Sequence, residues 1–143
     1  MNWIHWSVLS AFFAGITAVL AKVGLSGVDS NLATAVRTSV ILVVTWGIAF
    51  ALAKPSALLE FSSRTWLFLS LSGTATGLSW LCYFRALQLG EASRVAPVDK
   101  LSVLFVIILA AIFLKEKITL QHCIGGALIL AGAVVLAWKN ESP

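Results

Sequence analysis

Charge is what this sequence has least of. Ten Lys and Arg and six Asp and Glu amount to 11% of 143 residues, where a soluble domain carries about 25%. The apolar share is 59% and the mean hydropathy is +0.96. A water-soluble globular fold is thereby excluded. Cysteine is nearly absent too. Cys82 and Cys123 both fall inside apolar runs, so they read as core thiols and not as a disulfide framework. There is no zinc-ligand spacing, no glycine-rich phosphate loop and no nucleophile elbow, so no metal or cofactor is indicated. No basic patch lies on a polar face, and nucleic acid is not an expected partner despite the net charge of +4. The alternation of a β-barrel is missing. The N-terminus lacks a basic n-region, and its apolar run is too long for a signal peptide, so it reads as a retained first span.

What is present is a set of long apolar runs. Thr65–Phe84 holds twenty residues without a charge, and Leu101–Leu114 holds fourteen. At about 1.5 Å per residue, the first covers the roughly 30 Å of bilayer hydrocarbon. Five spans fit: Trp3–Ala21, Ala33–Ala53, Thr65–Gln88, Val95–Leu114 and Ile118–Trp138. Lipid offers the backbone no hydrogen-bond partner, so each span is expected to be a helix. The expected fold is an all-α polytopic membrane protein with the lipid bilayer as its surroundings. Between the third and fourth spans lies a knot of polar residues, Arg85, Glu91, Arg94, Asp99 and Lys100. A membrane protein with a route for a polar solute has a use for such a knot.

Span by span, the polar residues divide into anchors and candidates. Trp3, Trp6, Trp138 and Lys139 suit interfacial anchors. Small residues recur every fourth position on two faces of span one, Ser7-Ala11-Gly15 and Ser10-Ala14-Ala18, where another helix can come close. Lys22 either snorkels or faces an aqueous cavity. Asp29-Ser30-Asn31 is a helix start signal. Arg37 lies about a turn inside span two between Thr34 and Thr38. It either snorkels to head groups or faces the bundle interior or a water-filled cavity. Lys54-Pro55 ends that span.

Gly73 and Gly77 make a Gly-xxx-Gly face on span three. Ser72, Thr76, Ser79 and Tyr83 form a polar stripe whose hydroxyls either bond their own backbone or line a cavity. Trp80 and Tyr83 carry polar handles that need partners when buried, and Tyr83 beside Arg85 suits a cavity wall. Pro97 is expected in the first turn of span four. Asp99 would follow it there, where it either caps the helix or pairs with Lys100, Arg94 or Arg37. Lys115-Glu116-Lys117 closes the span, and His122 reads as an interfacial histidine.

The orientation signal is weak. With five spans, one face collects Lys54, Arg64, Lys115 and Lys117. The other collects Lys22, Arg37, Arg85, Arg94, Lys100 and Lys139. If Arg37, Arg85 and Lys100 sit inside the protein, the balance is four against three. The positive-inside rule then sets no direction. A chain that inserts both ways can form an antiparallel homodimer, the arrangement that many secondary transporters reach by internal duplication.

The stretch from Gly77 to Ser102, GLSWLCYFRALQLGEASRVAPVDKLS, resembles the EamA-type domain of the drug/metabolite transporter superfamily, in its short five-helix bacterial and archaeal branch. Ala86-Leu87, the turn Gly90–Ser93, Pro97, Glu116-Lys117, Gly125-Gly126 and Gly132 match positions characteristic of that family. Ala21–Leu25 and Asn31–Thr38 also look like the five-helix branch. The resemblance covers nearly the whole chain and implies one EamA-like domain over residues 1–143. It implies half of an inverted-repeat ten-helix transporter, completed by a dimer in the plasma membrane. Carried over by position, it points to Trp80, Tyr83, Arg85, Asp99 and Lys100 as cavity residues. Arg37 joins them from its own depth in span two.

The leading expectation is a secondary transporter, an exporter of a small polar metabolite, working by alternating access as a dimer. Basic residues outnumber Asp99 in the candidate set, which favours a neutral or anionic solute. No acid lies in span one, which argues against cation–proton exchange of the small multidrug-resistance kind. The alternative is a non-transporting membrane subunit or partner of another transport complex. An intramembrane enzyme ranks below both, since His5 and His122 stand far apart without nearby acids. The orientation reading is testable with a reporter at each terminus, scored from both sides of the membrane. Insertion is either mixed or uniform despite the weak bias: mixed orientation would support an antiparallel homodimer, and a single orientation for all molecules would exclude it.

Overall fold

In a computed structural model of the chain, residues 2–53 and 55–138 are described. Lys54 and Lys139, assigned above to a span end and an anchor, lie outside them. Those residues form six α-helices and one 3-10 turn. They are α1 (Trp3–Gly24), α2 (Ser30–Leu52), the 3-10 turn Pro55–Glu60, α3 (Ser63–Leu89), α4 (Ala92–Asp99), α5 (Ser102–Phe113) and α6 (Leu120–Ala137). Five stretches are long and apolar enough to cross a membrane: α1, α2, α3, α6, and α4 with α5 as a single stretch, Ala92–Phe113. The all-helical, five-span expectation holds, with boundaries moved by a few residues. The 3-10 turn was not expected from the sequence.

The large apolar side chains lie mostly on the outside. Trp3, Phe12, Val43, Phe68, Phe105 and Val135 are all more than half exposed. Only Ala18, Ala21, Leu25, Phe84, Leu87 and Ala133 are buried apolar residues among those described. In water such a surface would aggregate. In lipid it is the solvated surface, and small residues at close contacts take over the role of a hydrophobic core.

The contacts group into two units, Met1–Lys22 with Leu89–Pro143, and Val23–Gln88. In the first, α6 packs on α4 and α5. Gly126 is buried there, and a Cβ added to it would stand 2.9 Å from Leu104 Cδ2. Gly125, one position along, has nothing within 4 Å. Thr119 caps α6: its Oγ1 accepts from the His122 amide, and its own amide donates to His122 Nδ1. His122 is thus half of a capping box, a role its interfacial reading did not include. Lys22 Nζ donates to the Gly90 carbonyl at 2.8 Å. The lysine fastens the end of α1 to the turn before α4, which neither reading of it above had foreseen. On α1 the inward small-residue face is Ala14-Ala18-Ala21, with Ala14 half-buried and the other two buried. The Ala11-Gly15 face is exposed and borders a shallow apolar groove.

The fourth span is broken. Helix α4 starts at Ala92, earlier than expected, so Pro97 lies inside it and not in its first turn. A proline there donates no bond to the carbonyl four residues back and crowds it. Two residues past Asp99 the ladder tightens, with Leu101 N bonding Val98 O and Leu104 N bonding Leu101 O. Regular helix resumes at Ser102. Asp99 therefore ends α4 and precedes α5, and it is not a first-turn acid of α4.

In the second unit, Gly27 at φ +72° turns the chain after α1, a conformation that costs glycine little. Asp29 Oδ1 then accepts from the amides of Asn31 and Leu32 at 2.9 and 3.1 Å, starting α2 as expected. Helix α2 turns Ser30, Thr34 and Arg37 inward at helical spacing, and α3 does the same with Trp80, Phe84 and Leu87. Gly73 and Gly77 have nothing within 4 Å. They are not a contact face inside their unit.

Two substitutions separate contact from propensity. Gly126→Ala must displace the end of the Leu104 side chain, and it is expected to be less stable than Gly125→Ala by about 1–2 kcal/mol. Gly125→Ala meets open space and should leave stability unchanged, or raise it by up to about 1 kcal/mol. Unfolding of both variants in detergent, followed by circular dichroism, would show the difference. Equal behaviour would remove the α5–α6 contact at Gly126.

Candidate functional site

An arginine inside a membrane span must be neutralised, solvated or withdrawn to the interface. Arg37 sits seven residues into α2, roughly 10 Å along the helix axis. The guanidinium carbon lies 4.4 Å from the Trp80 ring centroid and 5.2 Å from that of Phe84. Trp80 and Phe84 are four residues apart on α3, so both rings face the same way. The snorkelling alternative is set aside by this geometry.

Stacking satisfies the face of a guanidinium and leaves its N–H edge. Arg37 Nη1 is buried and has no hydrogen-bond partner among the described residues. Thr34 and Thr38 do not supply one. Their hydroxyls donate to the carbonyls of Ser30 and Thr34, at 2.7 and 2.8 Å. Tyr83 is half-buried next to this pair, its ring centroid 6.5 Å from that of Phe84. Of the expected polar stripe, Ser72, Thr76 and Ser79 are exposed. Thr76 Oγ1 donates to the Ser72 carbonyl of its own helix, so for this residue the backbone-bonding alternative holds.

Arg85 stands apart from Trp80. Five residues along a helix is about 140° of rotation, so the two side chains leave α3 on different sides. Arg85 is exposed, and its Nη1 donates to Gln88 Oε1 at 2.6 Å. Gln88 Nε2 in turn donates to the Val28 carbonyl at 2.9 Å. This chain of bonds closes the α1–α2 turn onto the end of α3. Neither Phe84 nor Gln88 was singled out from sequence. For Phe84, the four-residue spacing from Trp80 was a usable signal. For Gln88, no local pattern marks the role.

The other two candidates belong to the first unit. Lys100 Nζ is 3.5 Å from Asp99 Oδ2, both at the break between α4 and α5. Arg94 pairs with Glu91 at 3.0 Å, one turn apart. Of the partners considered for Asp99, Lys100 is the one paired with it. The six candidates therefore form two groups: Arg37 with Trp80 and Tyr83 beside Phe84, and Asp99 with Lys100. Arg85 belongs to the surface network of Gln88.

The profile of the EamA-like transporter family matches residues 1–138. A Sinorhizobium protein named "Uncharacterized transporter in cobO 3′ region" is 53% identical over 136 residues, covering 95% of this chain and 96% of that one. A protein of Methanocaldococcus jannaschii, named only as uncharacterized, is 33% identical over 70 residues, 49% of this chain and 51% of its own. No solved structure matches the chain.

A buried donor without an acceptor costs about 1–3 kcal/mol, more when charged, and the cation–π contact returns about 0.5–2. Arg37 is therefore expected to be held at the expense of stability. Arg37→Met keeps the stem and removes the orphaned edge. Its thermal unfolding midpoint in detergent should equal or exceed that of the native protein. A fall of several degrees would show that Arg37 is a structural brace.

Proposed function

The chain belongs to the EamA-like transporter family, and on that premise we propose that this integral multi-pass membrane transporter is an exporter of a small polar metabolite. It works by alternating access in a bacterial or archaeal plasma membrane. The observation that carries the site assignment is Arg37, held within a span against Trp80 and Phe84 with a buried edge unpaired. Transporters place substrate near the bilayer midplane and commonly break a helix there. The interruption at Lys100 and Leu101 fits that pattern, and it carries the Asp99–Lys100 pair. Substrate contacts are assigned to Arg37, Trp80, Tyr83, Asp99 and Lys100. Arg85, bonded to Gln88 on another side of α3, is left out of that set.

Five spans make half of an inverted-repeat unit, and we assign the other half to a second copy inserted the opposite way. The open small-residue faces, Ala11-Gly15 on α1 and Gly73-Gly77 on α3, suit helix approach from that copy. The two contact units are read as parts of one EamA-like domain over residues 1–143, since a single family profile runs across both.

The test is counterflow of radiolabelled metabolites into proteoliposomes loaded with the same unlabelled compound. Accumulation above protein-free vesicles is expected for at least one polar metabolite. Asp99→Asn and Lys100→Gln should each reduce its initial rate at least tenfold while the protein still inserts and purifies. Native rates in both variants would remove the α4–α5 break from the substrate path.

A further inference from the structure

Arg37 has no resident counter-ion in its own unit. Between Val23 and Gln88 the sequence holds two acids, Asp29 and Glu60. Asp29 lies eight residues before Arg37, about 12 Å along α2, and its Oδ1 is already engaged by the amides of Asn31 and Leu32. Glu60 closes the 3-10 turn that follows the other end of α2. The neighbouring threonine hydroxyls donate to their own helix, and neither oxygen accepts from Nη1. An always-charged group is thus fixed by two aromatic rings on its face, while one N–H-bearing nitrogen is buried and unpartnered.

Such an edge is matched by an oxygen that carries negative charge. Planar guanidinium N–H groups bind carboxylate and phosphate oxygens by short charge-assisted bonds, while stacking keeps the plane from rotating. A neutral hydroxyl would satisfy the hydrogen bond and leave the charge uncompensated. We propose that Arg37 binds an oxyanion, so that the transported metabolite is a carboxylate or phosphate compound whose charged oxygen docks on the guanidinium edge against the Trp80–Phe84 wall. This rests on the transporter reading and narrows its substrate class. A lipid head group offers the same oxyanion. The depth of Arg37 along α2, and the stacking of its guanidinium on Trp80 and Phe84, favour a soluble metabolite.

The probes are pyruvate, succinate and inorganic phosphate, with succinamide as the uncharged match, at constant ionic strength. The full chain in uncharged detergent is titrated while its thermal unfolding is followed. At least one anion is expected to raise the midpoint saturably, with succinamide inert. Arg37→Met should weaken the apparent affinity at least tenfold. Arg37→Lys keeps the charge without the planar stack and should weaken it several-fold. Trp80→Leu, which frees the guanidinium, should weaken it as well. No shift with any anion, or equal shifts in native protein and Arg37→Met, overturns the proposal. So does an Arg37-dependent shift produced by phosphatidylglycerol micelles and by no soluble anion, which would make the occupant a lipid.

Counterflow of the same labelled anions separates this proposal from the reading beneath it. Arg37-dependent binding without flux upholds the oxyanion site and removes transport. Flux that persists unchanged in Arg37→Met upholds transport and removes the oxyanion site.

Discussion

The dry interior of a bilayer governs everything else in this protein. With no water to serve peptide groups, each crossing must close its own hydrogen bonds, and each departure from the helix must be repaired nearby. The chain obeys this with helices of 18 to 27 residues in four of its crossings. In the fourth crossing it departs from the rule, where Pro97 removes a donor and the following ladder shortens. The same constraint bears on side chains. Thr34, Thr38 and Thr76 spend their hydroxyls on their own helices. Arg37, which cannot, is packed on aromatic rings.

The fold was legible because its signal is long and one-dimensional. Runs such as Thr65–Phe84 state their length and apolarity without reference to any neighbour. Helix starts at Asp29 were legible for the same reason, since a cap is made within three residues. Interruptions were harder. Pro97 reads equally well as a first-turn residue or as an interior break, and only the position of Ala92 decides which. The 3-10 turn Pro55–Glu60 has no periodicity to announce it.

The site was partly legible. Arg37, Trp80 and Tyr83 stood out as costly or amphipathic residues at membrane depth, and the structure brings them into one neighbourhood. Phe84 did not stand out, because one phenylalanine among many in an apolar run carries no mark of the ring it presents. Arg85 stood out by charge, yet its helical phase turns it to Gln88. Lys22 looked like an end-of-span anchor, and its partner is the carbonyl of Gly90, far along the chain. A one-dimensional reading ranks residues by how expensive they are to place in lipid. Which expensive residues meet is a matter of phase and long-range packing.

Helix α3 is tied at two levels, by Gln88 to the Val28 carbonyl in the turn that leads into α2 and by Trp80 and Phe84 to Arg37 on α2. Trp80 and Gln88 are eight residues apart, about 12 Å along α3. One attachment would leave a pivot. Two at that separation fix the rotation of one helix against the other as well as their distance, even where neither contributes much to stability. A cation that is costly to hold is therefore mounted where the two helices are already held in phase, so its edge keeps one bearing.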